Sequence, residues 1–176
     1  YAGWISLYAG IAGGADVVLL PELPYDVDRI VNKIQTRAAA GATFSLVVVG
    51  EGARPKEGQL STISAGAKGH LARLGGAAQQ LSSLLQGRLN HEIRVTVLGH
   101  LQRGGSPSAF DRLLGTRFGV AAANLCARGE WGQMVALRGQ DVVAVPISEA
   151  VDHPKLVPLD GELVRTARAV GIELGG

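Results

Sequence analysis

The sequence has few of the residues that mark disulfide-stapled, membrane-spanning or nucleic-acid-binding proteins. Its one cysteine, Cys126, excludes a disulfide within the chain and, in its apolar stretch, predicts a buried structural thiol in a reducing, cytoplasmic compartment. The net charge is only +2, without a block of like charges, and no apolar run approaches the roughly 20 residues of a membrane span. We therefore expect neither nucleic acid nor membrane as a partner.

What the chain does have is material for a buried core. Hydrophobic residues make up 47% of its 176 residues, enough for one domain of ordinary size. The 25 glycines follow no period and stand mostly at segment ends, where they permit tight turns. The opening at Tyr1 reads as the middle of an apolar helix without a cap, so we expect the chain to be a fragment of a longer protein.

Segments of strand and helix periodicity alternate along the chain. Continuous apolar runs predict strands, and spacings of three and four predict helices. The predicted strands are 17–20, 44–49 and 93–98, with a hairpin or two successive strands over 134–145. The predicted helices are 3–12, 26–39, 69–86, one from an N-cap at Ser106 to about residue 127, and one in the tail after Pro158. Residues 53–65 read as a loop. The alternation predicts an α/β fold with a doubly wound, mostly parallel sheet.

Two glycine-bearing loops follow predicted strands, where ligands bind in open α/β sheets. The richer loop spans residues 99–107 and combines His100 and Arg103 with Gly104, Gly105 and a predicted helix start. Glycines allow close approach of a ligand, and a helix N-terminus and an arginine both favour phosphate. The loop therefore predicts an anion site, the alternative being a structural helix entry with a solvated arginine.

Two further charged residues are candidate site residues because of where they lie in the sequence. Glu51 lies between Gly50 and Gly52 after the second predicted strand; a glutamate in a turn is usually just solvated, but its carboxylate could accept hydrogen bonds from sugar hydroxyls. Arg94 begins the predicted strand whose other end delivers His100, roughly 20 Å away at about 3.3 Å per residue. It is therefore either an ordinary surface residue or a ligand for a neighbouring subunit's site.

Residues 94–112 closely resemble the signature of bacterial-type 6-phosphofructokinases. Further segments that resemble the family are residues 1–4, 9–14, 18–22, 49–52 and 113–120. The similarity extends over nearly the whole chain and implies that residues 1–176 are the C-terminal part of a phosphofructokinase domain. It also implies the activity of that family, in-line phosphoryl transfer to the 1-hydroxyl of fructose 6-phosphate, with ATP as the expected donor and pyrophosphate as the alternative.

The resemblance implies a role for each candidate residue. Glu51, His100 and Arg103 match positions that hold fructose 6-phosphate in the chain's own site. Arg94 matches an arginine that reaches the 6-phosphate of an adjacent subunit, which implies a homo-oligomer, usually a tetramer, with shared active sites. A role in the neighbouring subunit's site would explain how Arg94 can contact the substrate although it lies at the far end of the predicted strand from His100.

The chain also departs from the family pattern. The family's donor loop and its catalytic segment, with the general base and the Mg²⁺ site, have no counterpart here, so the isolated fragment is expected to be inactive. The stretch from Glu51 to Arg94 is longer than in the short allosteric enzymes and resembles a subgroup with both ATP-using and pyrophosphate-using members. The short allosteric enzymes carry basic residues for a nucleotide effector where this chain has Ala40 and Ala42. Regulation by a nucleotide effector is therefore not expected.

Two other classes of protein are alternatives to a kinase. A dinucleotide-dependent oxidoreductase would need a Gly-x-Gly-x-x-Gly turn after a strand, and the sequence has none. A non-catalytic sugar-phosphate-binding domain would share the acceptor residues but bind without turnover.

Overall fold

The structure is a computed structural model that describes residues 2–57, 62–64, 73–74, 76–152 and 154–176. The chain forms two compact units. The first unit consists of Tyr1–Val97 and Lys155–Gly176, and the second unit of Leu98–Pro154.

Helices and strands alternate along most of the chain. The helices are α1 (Trp4–Ala12), α2 (Val27–Ala39), α3 (Ala77–Leu85), α4 (Ala109–Ala127), α5 (Ile147–Asp152) and α6 (Glu162–Ala169), with a 3₁₀ helix at Gly99–Arg103. The strands are β1 (Val17–Leu19), β2 (Val47–Val49), β3 (Thr62–Ser64), β4 (Arg73–Leu74), β5 (Gln133–Arg138) and β6 (Asp141–Pro146). In the described part of the chain, no helix is both long and apolar enough to cross a membrane.

The first unit is organised around a parallel pair of strands. β1 pairs with β2 in a register that sets Leu19 opposite Val49, and α2 forms the crossover between them. Val18 and Leu20 belong to a core cluster with α1 and α6, whereas Val17 and Leu19 belong to a second cluster with α2 and α3. Helices therefore bury both faces of β1, which confirms the doubly wound α/β class.

α2 shows why the sequence of this unit folds as predicted. Asp26 is its N-cap and accepts a hydrogen bond from the Asp28 backbone N–H at 2.8 Å. Ile30, Val31 and Ile34 form one buried face at helical spacing. The helix predicted over residues 26–39 is confirmed, as are those over 3–12 and in the tail.

The third predicted strand, residues 93–98, is wrong. Ile93 and Val95 are half-buried and alternate with exposed Arg94 and Thr96, which is the period of a strand. No strand assignment falls on this segment, and in the described sheets β2 pairs only with β1. Alternation indicates an extended backbone, but a strand also requires a neighbour that accepts its ladder of hydrogen bonds.

Three other predictions for this unit are wrong in part. β2 begins at Val47 rather than at residue 44, and Thr62–Ser64 is a strand antiparallel to β4, not a loop. The helix predicted over residues 69–86 covers only Ala77–Leu85; residues 69–72 lie outside the described ones. Gly76, just before the helix, has a φ of 80°, a left-handed conformation that interrupts a right-handed helix.

The second unit contains α4 and the antiparallel hairpin of β5 and β6. The predicted hairpin is confirmed, and Gly139 supplies its turn with a φ of 63°. α4 starts later than predicted, because its N-cap is Ser108 and not Ser106. Ser108 has Asp111 three residues on and can form a reciprocal capping box, whereas Ser106 has Ala109 there.

Burial in this second unit is sparse. Among its described residues, Leu125 is the one side chain in the buried hydrophobic set. Cys126, the next residue of α4, is exposed, so the expectation of a buried thiol is wrong. Successive helical residues point about 100° apart, so the side chain next to a buried one can face solvent.

Candidate functional site

In the first unit, two polar loops leave the carboxyl edge of the parallel strands. The Gly50 N–H donates to the Leu19 carbonyl at 2.9 Å, and the Ala53 N–H donates to the Gly50 carbonyl at 2.8 Å. These bonds close a tight turn directly after β2 that presents Glu51 to solvent. Glu51 therefore lies where open α/β sheets bind ligands.

Gly50 is held in a space without room for a side chain. A Cβ atom at this position would lie 3.0 Å from Ser6 Oγ and 3.1 Å from both the Leu19 carbonyl oxygen and Pro21 Cδ. The first turns of α1 and the end of β1 therefore abut the backbone immediately before Glu51.

Glu22 is a half-buried carboxylate at the same edge that the sequence analysis did not select as a site residue. Its Oε1 accepts hydrogen bonds from the Gly3 N–H and the Val157 N–H, both at 2.9 Å, and its Oε2 lies 3.2 Å from the Gly3 nitrogen. It follows β1 as Glu51 follows β2. The rule that selected Glu51, a carboxylate just after a buried strand, would have found it.

Arg94 lies in the extended segment of the first unit. Its Nε and Nη2 donate to the carboxylate oxygens of Glu92 at 2.9 and 3.1 Å. The two side chains are 83% and 72% exposed, so water weakens their attraction and the pair holds the arginine only loosely. The guanidinium is therefore accessible to a competing anion.

In the second unit, His100 and Arg103 belong to the 3₁₀ helix Gly99–Arg103. Such a helix has three residues per turn, so residues three apart are eclipsed and share a side. Both side chains are exposed. Gly104 and Gly105 follow at once, and Gly105 has a φ of 100°, a conformation that favours glycine. An imidazole and a guanidinium thus emerge together beside a backbone that a ligand can approach closely.

Two side chains of the chain itself form a capping box at the start of α4. The Asp111 N–H donates to Ser108 Oγ at 3.2 Å, while the Ser108 N–H and hydroxyl donate to Asp111 Oδ2 at 2.8 and 2.7 Å. These hydrogen bonds lower the pKa of the Asp111 carboxyl. The capping box uses the Asp111 N–H and places the Asp111 carboxylate at the start of α4, so this helix end is less favourable for an anion than the sequence indicates. Anion binding here depends on His100, Arg103 and the glycine backbone.

The four predicted site residues divide between the two units. Glu51 and Arg94 lie in the first unit, whereas His100 and Arg103 lie in the second. The described residues include no group of three histidine, cysteine, aspartate or glutamate side chains placed to hold a metal ion. No residue of this chain is therefore assigned to Mg²⁺.

Fold and side chains together define the class: an α/β protein with a carboxylate in the turn after β2 of the first unit, and with an imidazole and a guanidinium in the second unit, groups suited to a phosphorylated, hydroxylated ligand. The family model described as Phosphofructokinase matches residues 1–126. The chain belongs to the phosphofructokinase family.

Relatives with curated names are similar over nearly the whole chain. One from Chloroflexus aurantiacus, named ATP-dependent 6-phosphofructokinase, is 50% identical over 99% of this chain and 48% of its own length. One of the same name from Spirochaeta thermophila is 51% identical, with the same coverage. The chain spans about half the length of the curated relatives it matches.

Solved structures share the fold at lower sequence identity. A pyrophosphate-dependent phosphofructokinase from Marinobacter aquaeolei matches 98% of this chain and 42% of its own, with a TM-score of 0.69 and 22% identity. A pyrophosphate-dependent phosphofructokinase from Nitrosospira multiformis matches 99% of this chain with a TM-score of 0.63 and 20% identity. These likenesses establish the fold.

Proposed function

We propose that this chain is the sugar-phosphate-binding, C-terminal part of an ATP-dependent 6-phosphofructokinase. The reaction transfers a phosphoryl group from ATP to the 1-hydroxyl of fructose 6-phosphate. The observation that carries the proposal is the pairing of His100 and Arg103 on one side of an exposed 3₁₀ turn, next to Gly104 and Gly105. A planar guanidinium and an imidazole at that spacing can hold a phosphate and its neighbouring hydroxyls together.

Glu51 and Arg94 complete the proposed acceptor site. The Glu51 carboxylate, presented by the turn after β2, accepts hydrogen bonds from sugar hydroxyls. Arg94 serves the 6-phosphate in the site of a neighbouring subunit, exchanging its exposed partner Glu92 for a dianionic phosphate. That role makes the enzyme a homo-oligomer, and we propose a tetramer in the cytoplasm.

ATP is favoured as the donor over pyrophosphate. Relatives close to 50% identical over nearly the whole chain carry the name ATP-dependent 6-phosphofructokinase. The solved pyrophosphate-dependent structures are only 20–22% identical, so their titles weigh less. The Mg²⁺ site and the general base belong, in this proposal, to the half of the relatives' length that the chain does not cover. Within this chain, catalysis is served by binding and orienting the acceptor.

The test is a side-by-side assay of the full-length protein with fructose 6-phosphate and either ATP or pyrophosphate. Turnover with ATP alone, or far faster than with pyrophosphate, is the expected result. Turnover with pyrophosphate alone would transfer the proposal to the pyrophosphate-dependent alternative. Tight binding of fructose 6-phosphate by folded protein with no turnover from either donor would instead support a non-catalytic binding domain.

A further inference from the structure

Glu22 joins three segments of the first unit that are far apart in sequence. Its carboxylate lies just after β1 and accepts the N–H groups of Gly3, which is the N-cap residue of α1, and of Val157 in the tail. The indole N–H of Trp4 donates to the Lys155 carbonyl at 2.7 Å and strengthens the same junction. One half-buried carboxylate thus fastens the start of α1 to both β1 and the tail.

This arrangement caps α1 from outside the helix. Gly3 has no side chain with which to cap α1, so no local side chain accepts a hydrogen bond from its first turn. The negative charge of Glu22 lies at the positive end of the helix dipole, an arrangement that stabilises the start of the helix. A Cβ atom at Gly3 would lie 2.8 Å from Glu22 Oε2, so the contact is as close as the backbone permits.

The first turns of α1 in turn contact the loop that carries Glu51. Ser6 Oγ lies 3.0 Å from the place where a Gly50 Cβ would stand, and Pro21, the residue before Glu22, abuts the same point at 3.1 Å. Gly50 is therefore packed between the two segments that Glu22 holds together. A shift of α1 relative to the end of β1 would move Gly50, and Glu51 with it.

We propose that Glu22 is a positioning residue for sugar-phosphate binding, acting through Gly50 on the orientation of Glu51. It does not touch the substrate. Its hydrogen bonds fix the relation between α1 and β1, and that relation sets the direction of the Glu51 carboxylate. The inference rests on the function proposed above for Glu51.

The test is a double-mutant cycle in the full-length enzyme with Glu22→Gln and Glu51→Ala. Glutamine keeps the size of the side chain but removes its negative charge. If its carbonyl oxygen takes the place of Oε1, its NH₂ group stands where Oε2 lies 3.2 Å from the Gly3 nitrogen, so two N–H donors face each other. We expect Glu22→Gln to raise the KM for fructose 6-phosphate about three- to tenfold, the range expected when a contact is misplaced rather than removed. The KM for ATP should stay within about twofold of the unmodified enzyme, since that site is not displaced.

The cycle separates positioning from a general loss of structure. If Glu22 acts through Glu51, then Glu22→Gln has no further effect on this KM once Glu51 is alanine. Glu162→Gln, an exposed glutamate at the start of α6 in the same tail, is the matched control and should change nothing.

Each contrary result has a definite meaning. An unchanged KM in Glu22→Gln, multiplicative effects in the double mutant, or equal rises in the KM for both substrates would overturn the positioning role. If Glu51→Ala leaves the KM for fructose 6-phosphate unchanged, the proposed role of Glu51 fails, and the inference fails with it. A raised KM in Glu51→Ala with no effect of Glu22→Gln sinks the inference alone.

Discussion

His100 and Arg103 stand one turn apart in the same 3₁₀ helix and leave the chain on the same side. An α-helix would rotate residues three apart by about 60° from each other, whereas the tighter helix eclipses them. Two cationic or hydrogen-bonding groups are thereby directed at one ligand by a five-residue segment.

Replacing Arg103 with alanine should weaken binding of fructose 6-phosphate without disturbing the fold. The exposed side chain makes no packing contribution to either core cluster. Loss of a charge-assisted contact to phosphate should raise the KM for the sugar about ten- to a hundredfold, with a smaller change in kcat. Steady-state kinetics of the full-length enzyme measure this. Arg138→Ala, at the exposed end of β5 in the same unit, is the control, and equal KM values in both variants would remove Arg103 from the site.

Mixing two variants that are each impaired in sugar binding tests whether Arg94 serves a neighbouring subunit. If active sites are shared, Arg94→Ala and Arg103→Ala are each impaired alone. A hybrid oligomer then contains some sites with both arginines intact. Dissociating and reassembling the two variants together should restore a measurable fraction of the activity at low sugar concentration. Activity no higher than the average of the separate variants would place both arginines in the site of one subunit.

Acid should loosen the start of α4 through Asp111. Its hydrogen bonds with Ser108 lower the pKa of the Asp111 carboxyl below the ordinary value, so this contribution to stability is complete above about pH 4 and is lost as the pH falls through the lowered pKa. Amide exchange in the first turn of α4, corrected for the intrinsic rate, should therefore accelerate on acidification. Asp111→Asn should show the faster exchange already at neutral pH and little further change; identical profiles would contradict the prediction.

The cap itself can be tested at neutral pH. Ser108→Ala removes the hydroxyl that accepts the Asp111 N–H and should cost about 1 kcal/mol of local helix stability, measured by the same exchange experiment. Ser106→Ala is the control, because Ser106 lies outside the helix and is not its N-cap. A larger effect of Ser106→Ala would mean that the helix begins at Ser106, as the sequence pattern indicates.

Removing the hydroxyl of Tyr25 should stabilise the first unit. The side chain is 1% exposed, and its hydroxyl has no hydrogen-bond partner among the described residues. Burial also raises the pKa of this hydroxyl. Because a buried polar group without a partner costs about 1–3 kcal/mol, Tyr25→Phe should raise the free energy of unfolding by about 1 kcal/mol. Chemical denaturation measures the change, and a clear loss of stability would mean that the hydroxyl has a partner in the folded protein.

Hydrogen exchange of the 176-residue chain should separate its two units. Every member of the two core clusters lies in the first unit, while Leu125 alone is in the buried hydrophobic set among the described residues of Leu98–Pro154. Few buried apolar contacts mean a low free energy of local opening, so amides of β5 and β6 should exchange about a hundredfold faster than those of α2. Equal protection in the same sample would contradict this reading.

The sequence alone determined the family, the α/β class and the elements with strong local signals. α2 is readable because Asp26 caps it and its apolar residues recur at helical spacing, and the β5–β6 hairpin is readable from its glycine turn. Glu51, Arg94, His100 and Arg103 were chosen from position and from resemblance to the family. These signals are local, because each depends on residues within a turn or two of one another.

Tertiary structure decided the features that depend on residues distant in sequence. The extended segment 93–98 has the alternation of a strand but lacks a described strand beside it, and pairing requires a partner that no local pattern supplies. The hydrogen-bond partners of Glu22 are the N–H groups of Gly3 and Val157, which lie 19 and 135 positions away in the sequence. Hydrogen bonds of that kind form only once the fold has brought the segments together, so the contacts of the carboxylate that holds α1 to β1 could be seen only in the folded chain.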